Sequence, residues 1–262
     1  MKEITALVSR NRKLFFKDKG MLFSSMITPV ILIVLYATFL ANIYKDSFVS
    51  ATKDMIDLPD KIINGTVAAQ LAAALLAVSC VTVTFCVNLT MVQDRASGAR
   101  KDFDVSPVSK TKIYIGYFLS TVLNSLMVNG TALALCLLYI LKMGWYMSAS
   151  DVIFVILDMI LLVLFGSTFS SIVSYPLKTQ GQLSAVGTIV CGAYMPISNF
   201  SSGLQKALSY LPGTYGTSLV KNHMLNGVYK EMADTGLPSE AVTVIRNTLD
   251  CNPVFMGHVV GV

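Results

Sequence analysis

The feature that most constrains this chain is a series of long segments almost free of charge. Residues 21–43, 66–93, 113–141 and 183–204 contain no Asp, Glu, Lys or Arg, and residues 152–177 contain one, Asp158. A helix crossing a hydrocarbon core about 30 Å thick needs roughly 20 apolar residues, so each of the five can span. Their mix of Leu, Ile, Val, Ala, Ser and Thr lacks the strict alternation of barrel strands, and a helix in lipid satisfies its own backbone polar groups. Charged residues make up 13% of the chain, against about 25% in soluble domains. That is too little polar cover for a water-soluble enzyme, a disordered chain or a nucleic-acid-binding domain. The fold class is therefore all-α, a polytopic helical membrane protein forming one transmembrane domain over residues 1–262. The first run is too long for a signal peptide and lacks a small-residue cleavage site, so it reads as a retained helix.

The charges between spans orient the chain. With the N-terminus inside, twelve of the 20 Lys and Arg fall in inner segments, and the outer eight are diluted over long or acidic stretches. The positive-inside rule then sets a cytosolic N-terminus. Anionic lipid accounts for the net charge of +5, with no nucleic acid partner. Residues 2–19 place Ile4, Leu7, Val8, Leu14 and Phe15 on one helical side and Arg10, Lys13 and Lys17 on another. That pattern predicts an interfacial helix with its cations on lipid phosphate, broken by Gly20 ahead of the first span.

The inner loop, residues 94–112, holds Arg95, Gly98, Arg100, Lys101, Asp104, Ser106, Pro107, Val108 and Lys110. Ser106 followed by Pro107 reads as a helix start, a hydroxyl cap before a residue with preset φ. The expected path is a turn at Gly98, a short helix at the cytosolic surface, and re-entry at Ile113. A short helical knuckle of this kind suits docking on a soluble partner.

Few positions suggest chemistry. Cys80, Cys86, Cys136 and Cys191 lie inside spans and Cys251 outside them, without CxxC or Cys/His spacing. Gly166-Ser167-Thr168 invites a serine nucleophile, but His223 and His258 both lie in the external C-terminal region, which argues against an enzyme. Asp158, about 9–12 Å below the outer end of its span, has two readings. It attracts cations or couples conformations, or it is a hydrated carboxylate with Lys142 as neighbour. Gln70, Asn88, Asn124 and Asn129 are span amides that need partners, and the alanines at 68, 69, 72, 73 and 77 predict close helix packing. Residues 251–262 are uncharged but reach only about 18 Å as a helix, which reads as the opening of a sixth span that is cut off.

The order of elements resembles a known family. An amphipathic N-terminal helix and two spans precede Arg95-x-x-Gly98, Ser106-Pro107-Val108-Ser109 and Ile113-x-x-Gly116. Further on come Ala193-Tyr194-Met195-Pro196-Ile197, residues 204–210, Leu211-Pro212 and a helix-like stretch over 214–232. The whole resembles the ABC-2 type permeases, membrane subunits of type V exporters of the ATP-binding cassette superfamily. The resemblance implies six spans, of which five are complete here. It implies that residues 94–112 form a coupling helix for a separate ATPase and that residues 205–250 form an external re-entrant region. It further implies that spans two and five line the route, which favours Gln70 and Asn88, with Asp158, as polar points on the path. The chain lacks a GxxxxGK[ST] stretch, so ATP and magnesium are expected on the partner and no cofactor on this chain. The expected assembly is two permease copies, homo- or heterodimeric, with ATPase subunits in a prokaryotic plasma membrane, moving an amphiphilic substrate outward. Drugs, lipid-linked molecules and peptide antibiotics fit that description. The competing class is a membrane binding, sensor or immunity protein acting without an ATPase.

Overall fold

The computed structural model describes residues 2–35, 59–175 and 212–235. It also describes residues 38, 41–42, 45–46, 242–243, 245–246, 251, 254–255 and 258–259. Helix α1 (Lys2–Lys17) turns by 78° into α2 (Lys19–Leu35). The break falls at Asp18 rather than at Gly20, which lies inside the first turn of α2. Asp18 Oδ1 accepts a hydrogen bond from the Met21 amide at 3.1 Å, supplying the cap that a glycine lacks.

Helix α3 (Asp60–Ala96) opens after Pro59, whose carbonyl accepts the Ile62 and Ile63 amides. Its 37 residues, about 55 Å of helix, overrun the hydrocarbon thickness. It closes at Gly98, whose φ of 82° is open to glycine at little cost. A six-residue helix, α4 (Ala99–Asp104), follows, then α5 (Lys110–Met143) and α6 (Ala149–Ser174). A reciprocal cap starts α6: the Ser148 amide donates to Asp151 Oδ2 at 2.9 Å, and the Asp151 amide donates to Ser148 Oγ at 3.3 Å. Helix α7 (Pro212–Asp234) covers the helical stretch expected over 214–232.

Helices α3, α5 and α6 are each long and apolar enough to cross a membrane. They contain the spans expected at 66–93 and 113–141 and nearly all of 152–177. The apolar window of α3 is 78% buried, against 33% for α5 and 39% for α6, which makes α3 the most enclosed of the three. Phe23, Ile27, Ile31 and Val34 on α2, Leu119, Leu123 and Met127 on α5, and Ile153, Leu157 and Leu161 on α6 are exposed apolar residues at helical spacing. Such a surface suits lipid or an apolar protein neighbour, not water. The expected span 183–204 lies outside the described residues, as do most of residues 36–58 and 236–250.

Residues 251–262 depart from the expected helix. Their described positions form β1 (Val254–Phe255) and β2 (His258–Val259), paired antiparallel with Val254 opposite Val259 and Phe255 opposite His258. Pro253 and Gly257 disfavour a helix here, and Val and Phe favour the extended chain.

The chain divides into two compact units. The first comprises Met1–Thr28, Val78–Thr131 and Leu162–Gly192. Its core holds Phe15, Met21, Val83, Phe85, Val87, Leu89, Val92 and Val128, with a second cluster of Leu7, Met91, Ile113 and Tyr117. The second unit comprises Pro29–Ala77, Ala132–Leu161 and Ala193–Val262. There the alanines at 68, 69, 72, 73 and 77 are all buried, as close packing requires. Gly227 of α7 lies against the chain joining α5 to α6, where a Cβ would collide with the Tyr146 carbonyl.

Candidate functional site

The loop between α3 and α5 is an ordered structure whose helix precedes Ser106 instead of starting there. Helix α4 runs from the left-handed Gly98 to Asp104. Ser106 Oγ then donates to the Phe103 carbonyl at 2.7 Å and accepts from the Val108 amide at 3.4 Å. The hydroxyl thus finishes α4, and the Ser109 carbonyl accepts the Ile113 amide to begin α5. Pro107 sits in the non-helical connection between them. Phe103 and Val108 tuck against the Leu7–Met91–Ile113–Tyr117 cluster. Lys101, Pro107 and Lys110 are exposed, and Val105 at the tip is 87% exposed.

Two consecutive residues at the end of α3 brace this loop. Asp94, 7% exposed, accepts both Arg10 guanidinium nitrogens, Nη1 at 2.7 Å and Nη2 at 3.1 Å, together with the Tyr117 hydroxyl. The hydrogen bond to Asp94 raises the Arg10 pKa above its ordinary value, against an opposing push from partial burial. The guanidinium also lies 5.1 Å from the centre of the Phe103 ring, so α4 leans on the same cation. Arg10 is therefore committed to Asp94, while Lys13 and Lys17 remain exposed. The rest of α1 follows the same logic. Leu7, Asn11 and Phe15, one helical stripe, are buried, and Asn11 Nδ2 donates to Ser120 Oγ at 3.3 Å. Leu7 packs on Gly116, where a Cβ would meet its own Cβ at 2.9 Å. Lys112 Nζ donates to Glu3 at 2.7 Å, and this bond lowers the Glu3 pKa. The face expected to rest on lipid is largely a protein-packing face, with Leu14 and Phe16 left exposed.

Arg95, the next residue, points to the end of α6. Its Nη1 donates to the carbonyls of Ser174 and Tyr175 at 3.1 and 2.9 Å, and its guanidinium lies 5.6 Å from the Tyr175 ring centre. Arg100 of α4 sits 4.7 Å from the Tyr114 ring centre. Two turns before Arg95, Asn88 Nδ2 donates to Ser174 Oγ at 2.7 Å and to Ser170 Oγ at 3.4 Å.

The remaining expected residues fall elsewhere. Asn88 belongs to the first unit, whereas Gln70 and Asp158 belong to the second. Gln70 and Asn124 are buried, and Asn129 takes a hydrogen bond from Ser79 Oγ at 2.7 Å. Asp158, 5% exposed, pairs with His223 Nδ1 of α7 and not with Lys142. The His223 ring stacks on Phe154, one turn before Asp158, at 5.0 Å and 17°. Nearby, Asn226 donates to Asp151 at 2.8 Å, so α7 meets two acidic positions of α6. Ser167 is fully buried, and its carbonyl accepts the hydroxyls of Ser170 and Ser171. Sequence reasoning missed Asp94, Tyr117 and His223 as members of these clusters. The available signal for Asp94 was an acid directly at the end of an apolar run, beside a tyrosine buried in the next one.

Apolar-surfaced helices of spanning length, with a structured, charged loop braced against their ends, define a polytopic α-helical membrane protein. Comparison with family models then gives the family: the model of the ABC-2 type transporters matches residues 2–225, and the chain belongs to that family. It is thus the membrane permease component of an ATP-binding cassette transporter, not its ATPase, and permeases of this family generally work with such an ATPase. No curated protein and no solved structure matches the chain.

Proposed function

We propose that this chain is the permease subunit of an exporter, pairing with a second permease copy while separate ATPase subunits dock on residues 95–112. The partner subunits hold ATP and magnesium; this chain converts their closure into helix movement. In this reading the N-terminus is cytosolic, the membrane is a prokaryotic plasma membrane, and α1 presents Lys13 and Lys17 to anionic headgroups. The substrate is amphiphilic (a drug, lipid-linked molecule or peptide antibiotic), because the spans offer an apolar route with few fixed charges. Gln70, Asn88 and Asp158 are its candidate polar points. The observation that carries the reading is Val105, 87% exposed on a loop packed against α1, α3 and α5. An apolar side chain presented to water on a braced support fits insertion into a partner's cleft.

The test is co-purification of the ATPase from native membranes with V105D and K101E variants. Both positions are exposed, so these changes spare the bracing that charge reversal at Arg95 or Arg100 would break. Loss of the ATPase from a normally inserted chain is the expected result. Undiminished co-purification with both variants refutes the docking assignment, and a wild-type chain that never retains an ATPase favours the partner-free sensor or immunity class.

A further inference from the structure

We propose that Arg95 is a positioning residue that locks the C-terminal end of α6 to the coupling loop, so that α3 and α6 carry the loop's displacement as one body. This rests on the docking-loop reading above. The lock is the last of three steps along one seam between two parallel helices. At the first, a Cβ on Gly166 of α6 would lie 2.7 Å from Thr84 Oγ1 and 3.3 Å from the Cys80 carbonyl, so the backbones approach closely. At the second, Asn88 bonds both Ser170 and Ser174. At the third, Arg95 takes the Ser174 and Tyr175 carbonyls.

On α3 the steps fall at Thr84, Asn88 and Arg95. On α6 they run from Gly166 through Ser170 to Ser174, where the last two steps overlap, which makes a continuous stripe instead of a single crossing point. The terminal carbonyls of a helix have no intrahelical donor and carry its partial negative charge, so a guanidinium satisfies both needs at once. Helix α4 reaches the same place by a second route. Arg100 stacks on Tyr114, and the Tyr114 ring centre lies 6.5 Å from that of Tyr175, which is itself under Arg95. Between α3 and α4 stands the left-handed Gly98, the softest backbone in the connection. A push on α4 therefore reaches α6 through these side chains as well as through the chain itself. Lysine can replace the charge but not the planar stack, which predicts a graded series.

The experiment is hydrogen–deuterium exchange on the full complex with its co-purified ATPase, with and without ATP plus vanadate. In the wild type, nucleotide changes exchange in peptides covering 97–112 and 165–175 together. In R95A the change over 97–112 persists and that over 165–175 is lost; R95K restores part of it. A merely structural role would raise exchange in both peptides without regard to nucleotide. The proposal is overturned if R95A still transmits the nucleotide response to 165–175. If R95A does not fold, R95Q, which keeps a donor without the charge, is read by the same criterion. A wild-type loop blind to nucleotide would sink the docking-loop reading itself, a result distinct from failure of the lock.

Discussion

The pair Arg10–Asp94 is the place where removing a few atoms should measure how firmly α1 is fastened. Asp94 accepts two hydrogen bonds from Arg10 and one from Tyr117, and its side chain is 10% exposed against 34% for that of Arg10. Hydrogen bonds to charged groups contribute about 1.5–3 kcal/mol net when buried. The guanidinium can recover water and the carboxylate cannot, so the two deletions are unequal. R10A strands a buried charge and should cost about 3 kcal/mol, below the roughly 3–5 kcal/mol of a fully enclosed pair. D94A should cost about 2 kcal/mol, most of it from the Tyr117 hydroxyl left without its acceptor. A double-mutant cycle from SDS-induced unfolding in mixed micelles, followed by circular dichroism, isolates the pair term, expected at about 1.5 kcal/mol. Exposed ion pairs give about 0–1 kcal/mol, so a coupling under about 0.5 kcal/mol would refute the bracing argument. Helix α1 would then be held chiefly by the packing of Leu7 and Phe15, with the Asn11–Ser120 and Glu3–Lys112 contacts.

Other changes follow from single observations. G227A drives a methyl into the Tyr146 carbonyl and should destabilise by about 3 kcal/mol or more, whereas G130A, with open space around it, should stabilise by about 0.5–1 kcal/mol; equal thermal stabilities would show that α7 is not packed this closely. H223A removes the partner of Asp158 and should cost about 1–2 kcal/mol, with much of the loss recovered in H223A/D158N because an amide costs less to leave buried without that partner than a carboxylate. No recovery in the double variant's unfolding curve would mean that charge is not the issue at that site. N88A removes two interhelical hydrogen bonds and should cost about 1 kcal/mol, within the range of such bonds in membranes; an unchanged unfolding midpoint would count against the α3–α6 seam.

The three spans seen as α3, α5 and α6 were readable in the sequence because lipid imposes a single demand, length without charge, which hydropathy registers directly. Their ends were less so. Helices α3 and α5 run past the uncharged runs to take in Asp60, Arg95, Lys110 and Lys142, and local caps such as Asp18 and Ser148 set where α2 and α6 begin. The loop at 94–112 is ordered but its helix comes earlier than expected, since Ser106 can finish a helix as well as start one, and only its bond to Phe103 decides. The partners of Arg10 and Asp158 were beyond reach. Asp94 is 84 residues from the first and His223 is 65 from the second, and no periodicity links positions that far apart. Asp94 itself looked like one charge among many in a polar loop. Its burial is a property of three helices meeting.

The distances along the chain also set a timetable. Arg10 cannot meet Asp94 until 84 further residues have been made, and Asn11 waits 109 for Ser120. At about 5–20 residues per second the N-terminal helix is finished roughly 4–20 s before its berth exists. During that interval Leu7 and Phe15 need another apolar surface, and the bilayer is the one at hand. The amphipathic pattern of α1 then describes where the helix waits, and its buried stripe describes where it ends. Ribosome-arrested chains ending before residue 94 should hold α1 on the membrane in a protease-accessible state that full-length chains lose.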